Sequence, residues 1–180
     1  MKILRLLLPC LVLSIISTVP ATSQTQTPLD DFAWLVGGTW IAEVKPAEGK
    51  APLRIESTCR WSENKRQIQF VTHFITPDSD IARYEGFYAW HPGKKKVAYW
   101  YTDEKGNFSE GTAAPQGEIV EFELANISAT GQVMPIRSEI RREGADAYSW
   151  KAYIQKDGEW TEAVSLRYVR RKQSARVTAQ

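Results

Sequence analysis

From Thr39 onward the chain alternates between apolar and polar residues in short runs separated by turn-forming residues. Successive side chains on a β-strand point to opposite faces, so this alternation marks strands with one buried face. The runs are Thr39–Lys45, Leu53–Trp61, Gln67–Ile75, Ala82–His91, Lys96–Thr102, Phe108–Ala113, Glu118–Leu124, Val133–Arg142, Tyr148–Gln155 and Trp160–Arg171. They recur about every ten residues, the spacing of a sandwich or barrel. Their connections are short, so consecutive strands should be hairpin neighbours. A meander of about ten strands must dispose of its edges, and closure into a barrel does so. The pattern therefore predicts an all-β fold: a single antiparallel up-and-down β-barrel with a short N-terminal helix. Asp30 or Asp31 can cap that helix through Phe32–Leu35, with Gly37 and Gly38 ending it. No composition break marks a second domain.

Turn lengths set the register. A two-residue Asn64-Lys65 loop pairs Trp61 with Ile68, Cys59 with Phe70, Ser57 with Thr72 and Ile55 with Phe74, giving one apolar face. His73 then lies opposite Glu56 on the polar face, as a surface pair. A four-residue loop, Pro92–Lys95, pairs Trp90 with Val97, Tyr88 with Tyr99 and Gly86 with Tyr101, and makes His91 a turn residue. After the turn at Asp103–Asn107, Phe108, Glu110 and Thr112 are expected on the tyrosine face. At Glu143–Asp146, a three-residue loop with Gly144 left-handed keeps Ile136 and Ile140 inward. A tighter loop would instead turn Arg137, Glu139 and Arg141 inward, at the expense of more buried charge. Asp157-Gly158 favours a two-residue primed turn. It pairs Ile154 with Thr161, Ala152 with Ala163, Trp150 with Ser165 and Tyr148 with Arg167, which puts Arg167 inside.

An enclosed guanidinium needs a partner, because an unpaired buried charge is very costly. Glu110, tyrosine hydroxyls or an anionic ligand could serve Arg167. It could equally be structural, plugging one barrel end over Trp40. Tyr88, Tyr99, Tyr101 and Trp150 would form the walls of a cavity, each phenol adding a polar handle to an apolar ring.

Residues 1–23 read as a secretory signal peptide: Lys2 and Arg5, an apolar run from Leu6 to Ile16, then small residues through Ser23. The apolar run is too short for a bilayer span of about 20 residues. Residues 24–29 form a leader, 30–171 the barrel and 172–180 a tail expected to be disordered. The address is then secreted or periplasmic, with no membrane span after cleavage; an uncleaved anchor is the alternative. Removing Lys2 and Arg5 from 23 basic residues leaves 21 against 21 acidic ones, so nothing supports bulk attraction to nucleic acid. The remaining cysteine, Cys59, is expected inward and unreactive. Two histidines leave little room for a metal centre. No cofactor is predicted, and nothing bears on oligomeric state.

Gly38-Thr39-Trp40, after a short helix and opening the first strand, resembles the GxW opening of the calycins, the lipocalin and fatty-acid-binding superfamily. There a basic residue on the last strand packs over this tryptophan, and the resemblance makes Arg167 the matching candidate. The stretch Trp34–Trp40 and the later Gly86…Trp90-His91-Pro92 look like exported bacterial lipocalin-like domains of unknown function. Fatty-acid-binding proteins grip a carboxylate with Arg-x-Tyr from one face, whereas Arg167 and Tyr168 are adjacent here and point apart. Nitrobindin-like barrels share a GTW opening and bind haem through a late histidine, but no histidine follows His91.

Three functions compete. A binding module would hold a small apolar or amphipathic molecule between Tyr88, Tyr99, Tyr101 and Trp150, with Glu110 and Arg167 orienting its polar end. A filled barrel would be a structural or interaction protein, its lumen plugged by some of the chain's 20 aromatic residues (seven Trp, seven Tyr and six Phe). An enzyme would use Glu110 beside Tyr99 as an acid/base pair.

Overall fold

The computed structural model describes residues 29–46, 48 and 51–171. A short 3-10 helix (Asp30–Leu35) precedes ten strands: β1 (Thr39–Val44), β2 (Leu53–Trp61), β3 (Gln67–Thr76), β4 (Ser79–His91), β5 (Lys96–Asp103), β6 (Phe108–Gln116), β7 (Ile119–Ile127), β8 (Val133–Arg142), β9 (Ala147–Lys156) and β10 (Glu159–Arg171). Each strand pairs antiparallel with the next, and β1 pairs with β10, so the sheet closes into a barrel without free edges. This is the all-β meander expected from the alternation. The helix is 3-10 rather than α, and no side chain caps it, so neither Asp30 nor Asp31 takes that role.

Most of the expected registers hold. The β2–β3 hairpin pairs Trp61 with Ile68 through Ile55 with Phe74. The β4–β5 hairpin pairs Trp90 with Val97, Tyr88 with Tyr99 and Gly86 with Tyr101. The Gly144 turn is left-handed (φ +81°), and Ile140 lies inward opposite Trp150. Asp157 and Gly158 both take positive φ, as a primed turn requires.

Two registers differ. In β10 a bulge falls between Glu162 and Val164, so Ala152 faces Val164, Trp150 faces Leu166 and Tyr148 faces Tyr168. One added residue moves every later side chain to the other face. Leu166, Tyr168 and Arg170 point inward, and Arg167 points out. At the β5–β6 turn, Asp103 and Asn107 embrace three residues ending in left-handed Gly106, and Asp103 N donates to Asn107 O at 3.1 Å. Tyr101 therefore pairs with Ser109 and Trp100 with Glu110. Phe108, Glu110 and Thr112 lie on the outer face, where Phe108 stacks on Trp100 at 5.6 Å.

Inward-facing Gly86 and Gly111 mark close approaches. A Cβ would stand 2.1 Å from Trp100 O at Gly86 and 1.9 Å from Glu123 O at Gly111. These bare positions let the sheet bend and leave room for Phe70, Tyr99 and Tyr101.

Candidate functional site: the barrel lumen

The two ends of the barrel differ. At one end the 3-10 helix lies across the opening as a plug, inserting Phe32 and Leu35. Trp40 is fully buried beneath it and donates Nε1 to Leu35 O at 2.8 Å. Around Trp40 the rings are continuous. Trp34 meets its edge at 5.7 Å, Tyr148 lies at 4.9 Å, and Tyr168 stacks on Tyr148 at 4.8 Å. The cation over Trp40 is Arg170, not Arg167. Its Cζ stands 4.2 Å from the ring centroid. Its guanidinium donates to Val36 O at 3.1 Å and Gly37 O at 2.8 Å, and also to Trp34 O. Arg170 thus ties the last strand to the plug and satisfies three carbonyls of the chain leaving the helix.

Arg167 is an outer-surface residue with 60% of its side chain exposed, paired with Glu143 Oε2 at 2.8 Å. Glu110 is likewise exposed on the outer face. Neither can orient a molecule inside the barrel, and Glu110 cannot form an acid/base pair with Tyr99, whose side chain points the other way. His73 lies opposite Glu56, as its register implies, but its hydrogen bond goes to Asp80, Nδ1 to Oδ1 at 2.6 Å. His91 accepts Lys94 N in its turn at 3.1 Å.

Of the expected aromatic walls, Tyr88, Tyr99 and Tyr101 come together, whereas Trp150 stands on β9 between Ile140 and Leu166. Tyr88 and Tyr99 stack at 4.7 Å; Phe70 stacks on Tyr99 at 5.6 Å; Tyr101 meets Tyr84 edge-on at 5.3 Å. Tyr88 is buried, whereas Tyr99, Tyr101 and Trp150 are half-buried. Burial pushes the phenols of Tyr88, Tyr99 and Tyr148 well up, and burial likewise raises the Cys59 thiol to about 12. These groups are neutral at physiological pH.

Toward the other end the inward side chains lose their cover. Leu53, Phe74, Tyr84, Ile136, Ile154 and Leu166 are all only half-buried. Ile81, Met134 and Val164 are 45%, 40% and 37% exposed. Ile81 pairs with Phe74, Met134 with Asn126 and Val164 with Ala152, which assigns all three to lumen-facing positions. Inward-pointing apolar groups on a closed sheet reach water only through an open mouth. Two pairs of neutral polar groups lie in this half: Thr72 Oγ1 donates to Ser57 Oγ at 3.1 Å, and Asn126 Nδ2 donates to Ser109 Oγ at 2.8 Å. Tyr101 stands opposite Ser109 on the same face.

The mouth carries the barrel's other bulge. Register passes from Thr72–Tyr84 to His73–Ala82, leaving Arg83 as the extra residue. Arg83 lies 5.5 Å from the Phe74 ring centroid and pairs with Glu104 in the β5–β6 turn. The desolvation of neighbouring Asp103 is outweighed by hydrogen bonds from Asn107 and Lys105 and by Arg83, which together hold its carboxyl below the ordinary value. On the outer face a depression of about 850 Å³ crosses β2 to β5, between Arg60, Gln69, Phe87 and Trp100, and its lining also takes in Cys59, Phe70 and Gly86.

Hairpin-by-hairpin reading missed Arg170, Tyr168 and Tyr84. A signal was present: Leu166 and Tyr168 alternate with Ser165 and Arg167, so the apolar pair selects the face that Arg170 shares.

No protein-family model matches the chain, and no curated protein does. Among solved structures it is similar to Rv2717c from M. tuberculosis, with a TM-score of 0.55 and 14% identity over 80% of this chain and 97% of that one. The likeness is one of fold.

Proposed function

We propose that this is an exported, lipocalin-like binding protein whose half-open lumen holds a small molecule with an apolar body. The observation that carries the reading is the exposure of Ile81, Met134 and Val164 at lumen-facing positions. Apolar surface left wet inside a concave wall is the ordinary character of a ligand site. Tyr99, Tyr101 and Trp150 line it, with Tyr88 at its floor. Glu110 and Arg167 drop out as polar contacts, and Ser109, Asn126 and Tyr84 take that place. With Glu110 outside, the sequence-based case for turnover loses its acid/base pair, and the proposal is binding without chemistry.

The filled barrel keeps one supporting observation, the unbroken ring packing around Trp40. Titration with the neutral fluorophore N-phenyl-1-naphthylamine separates the two readings. Saturable binding is expected in the wild type. It should be lost in Ile154→Trp, which fills the lumen, and retained in Tyr153→Trp on the outer face, with both variants keeping the wild-type circular dichroism. Absence of saturable binding in the wild type overturns the proposal.

A further inference from the structure

We infer that the lumen selects uncharged ligands: it admits a neutral amphiphile whose head can hydrogen-bond, such as a long-chain alcohol, and excludes the matching carboxylate. The inference rests on the reading that the lumen holds a ligand at all.

The first support is the lining. Among the described residues, the cross-strand pairing puts no Lys, Arg or His on a lumen-facing position between the plug and the mouth, and Asp103, opposite Tyr84 at the rim, carries a charge of an anion's own sign. The neutral polar groups there are hydroxyls and an amide, among them Ser57, Thr72, Tyr84, Tyr101, Ser109 and Asn126. Hydroxyls and amides both donate and accept, so they can serve an alcohol head without a counter-ion. A carboxylate drawn into the same wall would be a buried charge without a partner, and burying one is far costlier than burying a hydroxyl.

The second support is the state of the guanidiniums that border the lumen. At the plug, Arg170 is committed to the carbonyls of Val36, Gly37 and Trp34, and Arg142 donates Nε to Gly144 O at 3.0 Å. Arg170 and Tyr168 do share an inward face, the arrangement that could grip a carboxylate. Three of the five Arg170 N–H donors, however, are spent on backbone oxygens, its Nε stands 3.4 Å from Asp146 Oδ1, and Trp40 covers the guanidinium plane. At the mouth, Arg83 is paired with Glu104 and faces Asp103 as well. Two carboxylates stand beside one guanidinium, so an entering anion meets a surplus of its own sign. At the outermost rung Lys156 stands opposite Glu159.

The test is competition for bound N-phenyl-1-naphthylamine at pH 8 by decan-1-ol and by decanoate, each below its aggregation concentration. Decan-1-ol should displace the fluorophore at a concentration about tenfold or more lower than decanoate. Decanoate should improve as pH falls toward the range in which the free acid is neutral. Glu104→Gln, which releases Arg83, should strengthen decanoate several-fold and leave decan-1-ol unmoved. Equal or tighter wild-type binding of decanoate, with the fluorophore bound, overturns the selectivity and leaves the lumen reading standing. Failure of the fluorophore itself to bind overturns the lumen reading, and this inference with it.

Discussion

The plugged end and the open end of this barrel are built from the same ten strands and the same alternation, yet they hold their inward residues differently. At the plugged end the rings around Trp40 pack on one another, Trp40 has a hydrogen-bond acceptor and Arg170 has three. At the open end the inward apolar groups Ile81, Met134 and Val164 are wet, and the bordering Arg83 is tied to Glu104 of a turn. On the proposed reading, folding belongs to the first end and binding to the second. Dense packing at one end supplies stability, so the other end can leave apolar surface uncovered.

Substitutions at the two ends should therefore differ in cost. Trp40→Ala removes a fully buried ring and its hydrogen bond, and should lower unfolding free energy by about 3–5 kcal/mol. Phe74→Ala, near the mouth, should cost about 1–2 kcal/mol, because much of that ring is already exposed. Equal costs in denaturant titrations would mean the lumen is packed throughout. Arg170→Met should come next, at about 2–4 kcal/mol, since it leaves three backbone carbonyls without their donor. Preservation of wild-type stability in Arg170→Met would remove the guanidinium from the closure.

The plugged end also sets an alkaline limit. Burial raises the Cys59 thiol from 9.0 to about 12, and the buried phenols rise with it. The native state therefore holds protons that the unfolded chain releases first, and stability must fall as pH rises. The contribution is intact below the unfolded value of 9.0 and is lost as pH climbs through about 12. From pH 8 to pH 10 Cys59 alone should account for about 1 kcal/mol. Cys59→Ala should flatten that part of the slope. An identical slope in the variant would assign the alkaline loss to the tyrosines.

The smallest effects belong to the outer face. Arg167→Met and Glu110→Gln should each change stability by no more than about 0.5 kcal/mol, the scale of an exposed ion pair or a surface substitution. Neither should alter fluorophore binding. A large loss of binding in either variant would put that side chain back at the site and erase the distinction between inner and outer faces.

These two residues also show where sequence reading stops. The hairpins at Asn64-Lys65 and Pro92–Lys95 were legible because turn length and apolar alternation agree on both arms. The same logic misassigned Arg167, because the bulge between Glu162 and Val164 carries no turn residue to announce it. It misassigned Glu110 because the three-residue turn ending at Gly106 sets a register that the outer aromatic pair Trp100–Phe108 obscured. The tyrosine walls survived both errors, since they rest on the hairpin whose turn was unambiguous. The polar half of the site did not, since it depended on the two arms whose faces were reversed.

Local chemistry alone determined the run of strands, their hairpin order and the aromatic face of β4 and β5, because alternation and turn length act over a few residues. Only the closed tertiary structure decided which arginine covers Trp40 and which end stays open. β10 must meet both β9 and β1, and the bulge that reconciles the two pairings turns Arg170, rather than Arg167, toward the plug.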